Sequence, residues 1–93
     1  MPERIVACYR YCDIQGRLLY EVVRYRPKRF EVRDEVGVVL PDFPRRTVLY
    51  RLPELRASGI AGTVFLCEGE KDADRLVGLG LVATTCPGGC RLA

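Results

Sequence analysis

Ninety-three residues suffice for one domain and not for two, since single domains run to about 100–150 residues and so short a chain buries little more than ~60% of its unfolded surface. Hydrophobic residues at 48% and charged ones at 29% argue against disorder, collagen or a coiled coil, and a net charge of +3 is too small by itself to imply a nucleic-acid partner. No apolar run approaches the ~18 residues of a membrane helix, and Met1-Pro2-Glu3-Arg4 leads into an alternating pattern with no apolar signal core, so a cytoplasmic chain with no membrane partner is expected.

Arg4 to Cys12 is rich in β-branched and aromatic residues, Asp13-Ile14-Gln15-Gly16 supplies turn chemistry, and Arg17 to Tyr25 resumes the pattern, which together predict a β-hairpin. On the second arm Leu18, Tyr20 and Val22 share one face and Leu19, Glu21 and Val23 the other, so something must cover the ribbon. Tyr9, Tyr11, Tyr20 and Tyr25 interleave with arginines; packing is the expected role, base stacking the other. Pro27 interrupts the pairing, Phe30 to Arg33 reads as a short strand and Val36 to Leu40 as another, a meander of three or four strands.

Charge is concentrated in this half. Residues 1–51 carry eleven basic and seven acidic side chains, residues 52–93 four and five, and thirteen of the fifteen cations are Arg. Arg24, Arg26, Lys28, Arg29 and Arg33 crowd one stretch with only Glu31 among them, which suits forked contacts with phosphate and equally a ribbon edge kept soluble by charge.

Pro41-Asp42-Phe43-Pro44 opens a connector that runs through Arg45-Arg46 to Thr47-Val48-Leu49-Tyr50. Leu52-Pro53-Glu54-Leu55 predicts a short helix, with proline in the first turn and an end near Ser58-Gly59. Thr63 to Cys67 is a continuous apolar run, the mark of a parallel strand buried on both faces. From Glu70 the period turns helical, with Ala73, Leu76, Val77 and Gly80 at i, i+3, i+4 and i+7, and Gly80 ending the helix in a left-handed conformation. Leu81 to Thr85 is a second strand, closed by Cys86-Pro87-Gly88-Gly89. The expected class is α/β in the α+β sense: an antiparallel β-rich segment over 1–60 with a short helix near 53–58, then a βαβ unit over 61–93, as one compact body.

Five cysteines include Cys8-x3-Cys12 and Cys86-x3-Cys90, a loose zinc spacing. A strand separates residues four apart by roughly 13 Å, and the chain has no His, so zinc is not expected; Cys67 reads as a small buried hydrophobe.

Glu68 stands where the first parallel strand meets its helix, the edge at which α/β sheets gather ligands. Gly69 beside it supplies a sharp turn, and Asp72 projects from the first helical turn. A carboxylate so placed can ligate Mg2+ or accept a proton from an attacking hydroxyl. Equally, Glu68 caps the helix while Glu70, Asp72 and Asp74 complement its dipole.

Val64-Phe65-Leu66-Cys67-Glu68-Gly69-Glu70-Lys71-Asp72-Ala73 resembles the first motif of Toprim domains, the catalytic fold of bacterial-type primases and topoisomerases. Gly80 to Thr85 with Pro87-Gly88-Gly89 is similar to the next segment in phage and plasmid primase-helicases, and Leu19 to Tyr25 and Val48 to Leu55 resemble the β-rich segment that precedes it. The resemblance implies a catalytic or metal-associated role for Glu68, assisted by Asp72, in Mg2+-dependent nucleotidyl transfer and RNA primer synthesis in DNA replication, with Gly69, Gly88 and Gly89 as turn residues. It also implies a later strand with an Asp-x-Asp pair, which residues 75–93, lacking any acid, do not supply.

A single carboxylate holds Mg2+ weakly, so Mg2+ is expected only in a completed site and unaided polymerisation is not expected. Single-stranded DNA or nucleotides are the expected ligands, and self-association or a partner chain is expected to complete a sheet whose last strand lies open. The alternative is a stand-alone nucleic-acid- or protein-binding module of phage or mobile-element origin.

Overall fold

The computed structural model describes residues 2–44, 47–58 and 62–86. Strands β1 (Arg4–Cys12), β2 (Leu18–Arg26), β3 (Arg29–Asp34) and β4 (Val39–Leu40) form an antiparallel sheet in that order. Helix α1 (Leu52–Ser58) then leads to β5 (Val64–Leu66), α2 (Glu70–Gly78) and β6 (Val82–Thr84), with β5 and β6 parallel. The architecture is the α+β arrangement expected, and among the described residues no helix is long and apolar enough to cross a membrane.

Local chemistry explains the joints. The Asp13 carboxylate accepts from the Gln15 and Arg17 amides, and Gly16 takes φ +84, closing the first hairpin. Asp34 repeats the device on the Val36 and Val38 amides with Gly37 at φ +92. That turn corrects one expectation: the strand read from Val36 begins only at Val39, because residues 36–38 are spent on the turn. Gly80, at φ +87, ends α2 in the left-handed conformation expected, its amide and that of Leu81 bonding back to Val77 and Leu76.

The core forms where the inner face of the ribbon meets the second half of the chain. Tyr9, Tyr11, Tyr20 and Val22 pack with Tyr50, Ala73 and Ala83, so α2 and β6 are the cover that the hairpin needs. Tyr11 stacks on Tyr20 at 4.8 Å between ring centroids, and Tyr50 meets Tyr9 edge-on at 6.0 Å. All four ribbon tyrosines are buried, as packing requires.

The parallel pair reverses the expectation for its two strands. Successive carbonyls at the end of β6 point to opposite edges: that of Thr84 accepts from the Cys67 amide at 2.8 Å, and that of Thr85, just past the strand, accepts from the Tyr50 amide at 3.0 Å. The Thr84 hydroxyl also donates to the Tyr50 carbonyl at 2.7 Å. The segment read as a connector therefore flanks β6, and both helices pack on that strand. β6 is the buried strand. β5, expected to be buried on both faces and to leave the last strand open, is itself the open edge among the described residues: Val64, Phe65 and Leu66 are 47%, 40% and 58% exposed.

Candidate functional site

Glu68 follows the last residues of β5, where the Thr85 hydroxyl donates to the Cys67 carbonyl at 2.8 Å and holds the strand end against β6. The chain then turns through Gly69 into α2, and the Ala73 amide bonds to the Gly69 carbonyl at 3.2 Å. Glu68 is exposed at the carboxyl end of its strand, as expected. It lies on the wall of a cleft of about 440 Å3 between the start of α2 and the four-stranded sheet. Val22, Phe30, Val32, Leu40 and Phe43 supply the apolar side; Asp42, Glu68 and Glu70 supply carboxylates.

Gly69 has φ −151 and ψ 168, extended backbone open to any residue, and a side chain there would meet nothing within 4 Å. Its turn therefore does not depend on glycine's freedom, which corrects the sequence-based reason for it. Gly88 and Gly89 lie outside the described residues.

The second acid at the cleft is Glu70, not Asp72. Asp72 is exposed on α2 and takes no part in the cleft wall. Glu70 is 7% exposed, and its Oε2 accepts from the Tyr11 hydroxyl at 2.8 Å. Burial, then the neighbouring Glu70 charge, pushes the Tyr11 hydroxyl far above its ordinary value, so it remains a donor. The signal was present in the sequence: Glu70 precedes Ala73 by three residues and Val77 by seven, on the stripe that packs inward. Asp74 instead pairs with Arg51 at 2.9 Å.

The arginine-rich stretch divides between the two faces of the ribbon. Tyr25, Arg29, Glu31 and Arg33 share the outer face by alternation and register. Arg29 pairs with Glu3 and Glu31, and Arg33 with Glu31 at 3.0 Å and the Tyr25 hydroxyl at 2.7 Å. The Tyr25 hydroxyl, with the Arg33 and Arg29 guanidiniums, holds the Glu31 carboxyl below its usual range. Arg24 and Arg26 occupy the inner face with Val22, and Lys28 is exposed in the turn between β2 and β3. Arg4, directly opposite Arg26, joins them, a neighbour that only strand register discloses.

Among the described residues, no three of His, Cys, Asp and Glu are grouped to hold a metal ion. Cys8 and Cys12 lie on one continuous strand, Cys67 and Cys86 are half-buried, and Cys90 lies outside the described residues. Compared with protein-family models, with curated proteins and with solved structures, the chain gives no match.

Proposed function

We propose that this chain is part of a Toprim-type primase or primase-helicase of DNA replication, in which Glu68 is the acid-base carboxylate of nucleotidyl transfer. The observation that supports this most is the placement of Glu68: solvent-accessible, at the carboxyl end of a parallel strand, before a helix N-terminus, on the wall of a cleft. An interior position would have left the carboxylate no route to substrate. Glu68 accepts a proton from the attacking hydroxyl at the mouth of this cleft, and Tyr11 holds Glu70 in the wall beside it. Mg2+ requires further carboxylates of the kind an Asp-x-Asp strand supplies, so residues 1–93 are inactive alone.

The test is Glu68→Gln in a polypeptide that carries this chain together with such a strand. Primer synthesis is lost while the unfolding midpoint is unchanged, because an exposed amide replaces an exposed carboxylate. Priming at the parent rate by the Gln variant removes the assignment.

A further inference from the structure

Three guanidiniums on the inner face of the ribbon meet no acid among the described residues. Arg4 and Arg26 face each other directly across β1 and β2, and Arg24 stands opposite Ala7 on the same face. None of the three forms an ion pair or side-chain hydrogen bond among the described residues. Like charges directly opposite in a sheet repel, so this arrangement favours an anion lying across it. The outer face differs, since Arg29 and Arg33 are already neutralised by Glu3 and Glu31.

The inner face also carries an aromatic ring. Phe30 is paired with Arg24 in the register of β2 and β3, is 48% exposed, and forms part of the cleft that holds Glu68. A polyanion drawn to the three arginines thus finds, on the same surface, an apolar ring and then the cleft. Its carboxylates repel phosphate, so what enters beside Phe30 is an uncharged group of the ligand. A single nucleic-acid strand has both parts: phosphates for Arg and a planar base for the ring.

We infer that the inner face of the ribbon seats single-stranded nucleic acid, with Arg4, Arg24 and Arg26 on successive phosphates and one base stacked on Phe30 at the mouth of the Glu68 cleft. The inference rests on the nucleic-acid reading of that cleft and adds to it the residues that position the strand. Phe30 and the arginines are positioning residues; Glu68 remains the group that touches the reacting atoms.

The chain contains no Trp, so Phe30→Trp introduces a sole indole at the stacking position. On titration with a twenty-nucleotide oligodeoxythymidylate, its fluorescence is quenched, and Phe30→Ala weakens binding roughly tenfold where Phe30→Trp does not. Three phosphate contacts on a single strand give a slope of about −2 in log K against log salt. Arg4→Gln/Arg24→Gln/Arg26→Gln flattens that slope, and Arg29→Gln/Arg33→Gln leaves it in place. An unquenched indole in the bound state, a slope lost with the outer pair instead of the inner three, or no binding at low salt overturns the inference. Priming measured with Glu68→Gln is a separate readout, so either reading can fail while the other stands.

Discussion

The Tyr11 hydroxyl donates to Oε2 of Glu70 across 2.8 Å, joining the first strand to the first turn of α2 over fifty-nine positions of sequence. A carboxylate this deeply buried needs a donor, and the tyrosine supplies it from the opposite wall of the core. The bond ties the start of α2 to the sheet at Glu70, a residue of the cleft wall beside Glu68.

Tyr11→Phe removes the donor and strands the carboxylate, which costs about 1–3 kcal/mol of stability in urea unfolding. Adding Glu70→Leu to that variant recovers part of the loss, because neither polar group then remains buried. A double variant less stable than the sum of its singles contradicts the pairing.

Burial pushes the Tyr20 hydroxyl up to about 12 and that of Tyr11 higher still. Both are protonated, folded or unfolded, at neutral pH, so they give no pH dependence there. Above about pH 10 the unfolded chain releases protons that the folded chain retains, and stability falls as pH rises. The urea midpoint should therefore be unaffected by these two hydroxyls from neutral pH to about 10 and decline from about 10 to 12, with a shallower decline in Tyr20→Phe. A midpoint unchanged at pH 12 contradicts this.

Gly69→Ser tests whether that position answers to the fold. Its extended backbone accepts any residue, a Cβ meets nothing, and serine caps helices slightly better than glycine. The thermal midpoint should hold or rise, equivalent to a few tenths of a kcal/mol. A loss of more than about 1 kcal/mol shows a backbone constraint that the conformation does not reveal.

Arg51 has φ +61, the left-handed region, immediately before α1, and its guanidinium binds Asp74 on α2. Glycine at this position loses the half-exposed ion pair, worth ~0.2–1 kcal/mol, and gains relief of the backbone cost, about 1 kcal/mol or more. Arg51→Gly is accordingly near-neutral, while Arg51→Ala, which loses the pair and keeps the strained φ, is less stable by about 1 kcal/mol in equilibrium unfolding. Equal stabilities for the two variants contradict this account.

Periodicity and turn chemistry act over a few residues, and what depends on them was legible in the sequence. The hairpin at Asp13–Gly16, the helix from Glu70, its end at Gly80 and the position of Glu68 at a strand end all follow from local spacing. Packing was also the expected role of Tyr9, Tyr11, Tyr20 and Tyr25, and all four are buried.

Tertiary structure alone decided which strand of the parallel pair is buried, because that turns on the Tyr50 backbone reaching Thr85 from thirty-five positions away. It decided likewise that Glu70, not Asp72, stands beside Glu68, since the helix presents one stripe to the sheet and only packing selects it. It also separated Arg29 and Arg33, neutralised outside, from Arg4, Arg24 and Arg26 inside. Charge pairing follows strand register, and register is set by contacts between residues distant in sequence.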